Sequence, residues 1–349
     1  MAAAGLAVVA VTFLWFLPTI ADYGDVWDVL KELSWGWIAA FAAVVIVNLA
    51  TFAPPWLVVL PRLRFFQALE LTQASTALSI VFPAGMAAGM GVSFGMLQRW
   101  GFPRREITRA MTLVGLWNQF LNLVFPIVAV FLLTASGEET ALLATAAFVG
   151  VAILGVAVTA FVLALSSARL AHEVGEIAAR LTSWALGKVR RGPVSWGGPS
   201  FERFRAGAGE LLARRWHLLT AASLAGSLSV YLVLLVSLRA LGVDASQLSA
   251  VEVFAAWALV RLLGTVPITP GGIGVIELGL TTALVAFGGN NAGVVAAVLV
   301  YRFLTIVPTL VYGLVAAGTW RRHRPPAEPV PVPPVGTMGG GGADTTLRR

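Results

Sequence analysis

Cysteine is absent from this 349-residue chain, and charge is scarce: Asp, Glu, Lys and Arg together make up 12% of it. Without cysteine there is no disulfide, no thiol nucleophile and no Cys-ligated metal. Histidine occurs only as His172, His217 and His323, all near expected membrane boundaries. No HExxH or other metal spacing accompanies them, so metal catalysis has no ligand set. No glycine run is followed by Gly-Lys-Ser/Thr, which excludes the usual phosphate-cradling loop of ATP-driven proteins. No Ser/His/Asp set or close carboxylate pair on a polar loop suggests hydrolysis. The expectation is a protein with no cofactor that is not itself an enzyme.

What the chain has in excess is apolar surface. It is 58% hydrophobic, with a mean hydropathy of +0.84. A soluble domain could not cover that much apolar surface with so few charges. Apolar segments run approximately over 1–20, 35–60, 65–82, 84–98, 107–134, 141–165, 217–240, 251–266, 275–287 and 292–320. Several reach the roughly 17–25 residues that span hydrocarbon. Met1 to Pro18 has no basic flank and no clear small-x-small cleavage site before Tyr23, so it reads as a first transmembrane helix rather than a cleaved signal. Its lack of a Lys/Arg anchor fits a native start upstream of Met1.

Charge is distributed unevenly between the loops. Arg62, Arg64, Arg99, Arg104, Arg105, Arg109, the 166–216 loop, Arg321, Arg322 and Arg324 fall on one side; Asp22, Asp25, Asp28, Glu32, Glu138, Glu139 and Asp244 fall on the other. The basic side is expected to be cytoplasmic. Loop parity then closes if 65–98 starts and ends inside while 251–287 starts and ends outside. The expected fold is an all-α polytopic membrane protein with about six full transmembrane helices and two oppositely oriented Pro/Gly-broken hairpins. Such pairs occur in inverted-repeat transporters. The net charge of +7 is explained by an anionic membrane surface without nucleic acid.

The stretch Val266-Pro267-Ile268-Thr269-Pro270-Gly271-Gly272-Ile273-Gly274-Val275-Ile276-Glu277 carries the strongest functional signal. Backbone broken at membrane depth needs protein or water to satisfy its freed N–H and C=O groups, so the break marks a polar interior. Arg302 stands about ten residues into its apolar segment, roughly 15 Å deep at 1.5 Å per residue. Arg261 precedes the break and Glu277 follows it. Charges at that depth require partners or water. One arginine is expected to pair with Glu277 and the other to meet an anionic headgroup; Arg302, on a continuous helix, is the favoured substrate-facing one. Glu277 also suits the positive end of the helix that follows Gly274, where a phosphate would be equally at home.

Asn118 and Asn122 lie one turn apart in the 107–134 segment, placed for interhelical hydrogen bonds or for lining a polar cavity. Phe82-Pro83-Ala84-Gly85 turns the first hairpin, and Gly85/Gly89 and Gly91/Gly95 give two GxxxG spacings suited to close helix packing. In 166–216, Leu170, Val174, Ile177, Leu181 and Trp184 form one apolar stripe. Phe201, Phe204, Leu211 and Leu212 form a second after the breaks at Gly192-Pro193 and Gly197-Gly198-Pro199. Two interfacial helices on the cytoplasmic leaflet are expected, with a disordered Pro/Gly-rich tail over 325–349 after a membrane domain of 1–324.

Pro267-x-x-Pro270-Gly271-Gly272-x-Gly274-x-x-Glu277, followed by Tyr301-Arg302, resembles the transmembrane domain of lysylphosphatidylglycerol synthases and related flippase-like membrane proteins. Phe82-Pro83-Ala84-Gly85 through Met96-Leu97-Gln98-Arg99-Trp100-Gly101 is similar to that family's earlier glycine-rich element, although Met86 to Met96 lacks the charge often found there. The resemblance implies a domain that moves a lipid between leaflets, with aminoacyl transfer assigned to a separate soluble domain. The expected function is movement of a polar or anionic lipid, aminoacylated or glycan-linked, with a phospholipid or polyprenyl-linked lipid as substrate. Arg261, Glu277, Arg302, Gly271, Gly272, Gly274, Asn118 and Asn122 are the expected substrate-binding residues. The alternatives are a membrane-embedded transferase or accessory subunit, which would bring a soluble transferase as partner, and a structural assembly protein.

Overall fold

The computed structural model describes residues 33–81, 85–136, 167–188, 197–263 and 270–319, with scattered positions between 152 and 163. Outside these lie the first segment, the turn at Phe82-Pro83-Ala84, most of 141–165, the Gly192-Pro193 break, Pro267 and the tail. The described residues are helical throughout, without strands: α1 Trp35–Thr51, α2 Pro54–Val59, α3 Phe65–Val81, α4 Gly85–Arg99, α5 Arg104–Ala135, α6 Ala168–Lys188, α7 Gly198–Ala240, α8 Ala250–Leu263, a 3-10 turn at Pro270–Gly272, α9 Val275–Ala286 and α10 Asn291–Thr319. This is an all-α polytopic membrane protein. Trp35–Val59, Arg104–Ala135, Leu211–Ala240 and Asn291–Ala316 are each long and apolar enough to cross a bilayer.

Proline places several helix boundaries. Pro54 and Pro55 restart the chain as α2, where a missing N–H matters least. Pro199 occupies the first turn of α7 in the same way. This helix runs unbroken for 43 residues from Gly198, so the second half of the 166–216 loop is not a separate interfacial helix. Ala208 and Leu212 are buried, and Phe204 and Leu211 pack on the same apolar cluster. Phe204, Leu211 and Leu212 of the expected second stripe therefore face protein, because nothing between Ser200 and Ala240 breaks the helix and rotates that face toward lipid. In α6, by contrast, Ile177 and Trp184 remain exposed.

Two apolar clusters lie at opposite ends of the bundle. One joins Ile107, Ala110 and Leu113 of early α5 to Ala208, Leu212 and Leu219 of α7 and Ala316 of late α10. The other joins Leu133 of late α5 to Leu234 and Leu238 of α7 and Val294 of early α10. The base of the α3–α4 hairpin, through Ala68, Leu71, Leu97 and Trp100, belongs to the first. The base of the α8–α9 hairpin, through Val253, Phe254 and Leu284, belongs to the second. The hairpins thus enter from opposite ends, as the loop charges predict. Their inner ends meet mid-bundle, where Ile80, Val81 and Ile273 pack against Ala77, Ile306 and Leu310.

The two GxxxG spacings part company here. A Cβ at Gly89 would stand 2.6 Å from the Ser75 carbonyl oxygen, and one at Gly85 would run into the Ser79 carbonyl, so this pair brings α4 onto α3. Gly91 and Gly95 face open space. At the acidic end, the loop after α7 is tied by Asp244, which accepts from the Ser246 hydroxyl and from the Ser246 and Gln247 amides. Those bonds, led by the one from the Ser246 side chain, hold its carboxyl below the usual carboxylate range.

Candidate functional site

The polar residues of the long helices converge at one level. Asn48, Asn122, Ser227 and Arg302 each lie within three residues of the midpoint of their spans, Trp35–Val59, Arg104–Ala135, Leu211–Ala240 and Asn291–Ala316. Asn48 donates to the Ser229 hydroxyl at 2.9 Å. The remaining three belong to two charged assemblies, one around Arg302 and one around Arg261.

The broken segment builds the first assembly. Gly271, Gly272 and Gly274 have φ of 61°, 68° and 81°, a left-handed conformation that is costly for residues bearing a Cβ. This turn points the Gly271 carbonyl at Arg302, whose NH2 donates to it at 2.9 Å. Arg302 Nε donates to Glu277 Oε1 at 2.6 Å, while Glu277 Oε2 accepts the Gly274 amide at 2.7 Å. The second contact satisfies one of the free N–H groups at the start of α9, the backbone half of a capping box. Side-chain exposures of 7% for Arg302 and 16% for Glu277 place the ion pair out of water. The pair is electrically neutral and closes the hairpin tip onto α10. The glycines expected to bind substrate therefore make the turn and supply an acceptor.

Arg261 is held differently. Its Nε donates to Asn122 Oδ1 at 2.7 Å and its NH2 to the Ser227 hydroxyl at 3.3 Å. Asn122 is oriented in turn by donating to Gln119 Oε1 at 2.8 Å. The guanidinium lies 5.1 Å from the Trp257 ring centroid and 5.9 Å from that of Phe125. Among the described residues no carboxylate pairs with Arg261, and its NH1 meets no hydrogen-bond acceptor. Tyr301, next to Arg302 in the chain, is buried in the same apolar cluster as Trp257, which lies against Arg261, so the two assemblies adjoin.

This reverses the favoured assignment of the two arginines: Glu277 neutralises Arg302, and Arg261 is the one left over. The reason is geometric. Glu277 sits one turn into α9, facing α10, whereas Arg261 projects from α8 toward α5 and α7. Asn118 makes no side-chain hydrogen bond among the described residues, so only Asn122 of the asparagine pair joins the cluster. Ser227, Trp257 and Phe125 were not foreseen. Ser223 and Ser227, one turn apart within an apolar run, were the available signal; both are buried, and the Ser223 hydroxyl has no partner among the described residues.

No curated protein matches the chain. The family model described as lysylphosphatidylglycerol synthase TM region matches residues 2–313. With the all-α bundle and its spans, that match covers nearly the whole chain, and the protein is an integral membrane member of the lysylphosphatidylglycerol synthase transmembrane-region family.

Proposed function

We propose that this protein moves a lipid with an anionic headgroup between leaflets, and that Arg261 receives the headgroup. The observation that carries this reading is a guanidinium beside mid-span polar residues with no carboxylate partner among the described residues. A charge at that depth costs about 2.5–3.5 kcal/mol on insertion scales. Aromatic faces return roughly 0.5–2 kcal/mol, leaving a site whose electrostatics favour an incoming anion. A phosphate or carboxylate oxygen would bond the guanidinium and supply the missing negative charge. Asn122 and Ser227 would hold the fork in place. With no nucleotide-cradling loop, movement runs downhill, by ion coupling, or by removal of product.

The test is reconstitution of the purified protein in vesicles with fluorescent lipids of differing headgroup. Transfer of phosphatidylglycerol faster than phosphatidylcholine, above protein-free vesicles, is expected. Equal protein-dependent rates for both, or none, would remove the headgroup role.

In this reading the end bearing Arg62, Arg99, Arg104 and Arg105 faces the cytoplasm, as the positive-inside bias requires. The lack of native cysteine makes the orientation testable. A cysteine at Asp244 should react with an impermeant thiol reagent outside intact cells, and one at Arg104 should not. The opposite labelling would invert the topology. The exposed Ile177 and Trp184 of α6 would then lie on the inner leaflet, within reach of its anionic lipids.

A further inference from the structure

Far from Arg261, a cleft of about 390 Å³ opens between the first turns of α5 and the first turns of α7. Its size falls within the roughly 300–1,000 Å³ of small-molecule sites. Arg104, Arg105 and Arg109 line it on one side, and Phe204 and Gly207 on the other. Arg109 donates from NH1 to the Gly207 carbonyl at 3.0 Å. A Cβ on Gly207 would stand 3.1 Å from that NH1, so glycine lets the guanidinium lie flat against α7. Arg109 Nε is buried and has no acceptor among the described residues. Arg104 and Arg105 make no side-chain hydrogen bond or ion pair among the described residues.

The carboxylate in the lining, Glu106, is engaged by Arg62 at 3.2 Å, which leaves one carboxylate against three arginines in the cleft. The α5 N-terminus adds to the positive field. Pro103 precedes it, and no side chain among the described residues caps its first-turn N–H groups. The cleft stands at the membrane boundary: Arg104 begins the α5 span, and Gly207 lies four residues, roughly 6 Å, before the α7 span at Leu211. Arg109 is thirteen residues from Asn122 along α5, or roughly 20 Å, which separates this cleft from the Arg261 cluster.

We propose that the cleft between α5 and α7 binds the phosphate group of an anionic ligand, with Arg104 and Arg105 as its direct contacts and Arg109 holding the wall against Gly207. Guanidinium forks match phosphate oxygens two at a time, and three beside an occupied carboxylate favour an anion of more than one charge. Rotation of Arg109 toward a bound phosphate would give its buried Nε the acceptor it lacks. The phosphate could belong to a membrane lipid or to a soluble compound.

The test uses the purified full-length protein in detergent at constant ionic strength. Native mass spectrometry would read the phosphatidylglycerol and phosphatidylcholine retained from an equimolar mixture, and thermal shift would read stabilisation by pyrophosphate. The Arg104→Gln/Arg105→Gln variant should lose about fivefold of whichever binding the wild type has, close to 1 kcal/mol. The Arg180→Gln/Arg214→Gln variant, which removes equal charge outside the cleft, should lose little. Phosphatidylglycerol preference displaced by pyrophosphate identifies a lipid phosphate; pyrophosphate stabilisation without lipid preference identifies a soluble one. Equal losses in the two variants, or a wild type with neither lipid preference nor response to pyrophosphate, would overturn the site. The wild-type competition stands even if the cleft variant fails to fold.

Discussion

Arg261→Gln should lower headgroup-dependent lipid transfer by about tenfold or more, a barrier increase of roughly 1.4 kcal/mol, while the protein stays folded. The glutamine amide can still reach Asn122 or Ser227, so the polar partners on α5 and α7 need not be orphaned. Removing a charge that has no carboxylate partner among the described residues also relieves its desolvation, which keeps the melting temperature near or above that of the wild type. Arg261→Lys keeps the charge but loses the planar fork, so its rate should fall between the two. Transfer of phosphatidylglycerol in vesicles, measured beside thermal unfolding in detergent, separates these effects. Normal transfer by Arg261→Gln would show that the guanidinium does not meet the substrate.

The Glu277–Arg302 pair should behave in the opposite manner. Glu277→Gln leaves Arg302, 7% exposed, without its counter-charge, and breaking a buried pair in this way costs about 3–5 kcal/mol. The Gly274 amide can still bond to the new side chain, so most of the loss belongs to the stranded arginine. The double variant Glu277→Gln/Arg302→Gln should recover more than about half of that stability, because neither charge remains buried. Glu277→Gln/Arg261→Gln should recover much less of it, since Arg261 is not the partner of Glu277. A double-mutant cycle on unfolding measures both comparisons. Equal rescue by the two arginine substitutions would mean that Glu277 serves a shared charge cluster rather than one pair.

Much of the architecture is legible in the sequence. The Pro/Gly break and the basic loops each constrain the chain locally: broken backbone needs a polar interior, and arginine resists crossing the bilayer. Together they predicted hairpins entering from opposite ends, and the bases at Trp100 and Leu284 do lie in opposite clusters. Glu277 was legible as a first-turn carboxylate because the distance from Gly274 is set by the helix itself. The outer stripe of 198–216 was misplaced. Helical periodicity reveals an apolar face without saying whether lipid or protein covers it, and α7 turns Leu212 inward.

The sequence by itself determined what each residue owes to its own stretch of chain: the apolar segments, the turn that needs Gly271, Gly272 and Gly274, the unequal charge of the loops, and the presence of three charged residues within or beside apolar segments. The tertiary structure alone decided how those charges divide. Pairing depends on helix rotation and crossing, which turn Glu277 toward α10 and Arg261 toward Asn122 and Ser227, and these are set by contacts between residues far apart in the chain. The same holds for the arginine cleft. Arg104, Arg105 and Arg109 read in sequence as ordinary positive-inside residues, and only the docking of α7, with Gly207 allowing Arg109 against its backbone, makes a cavity of them.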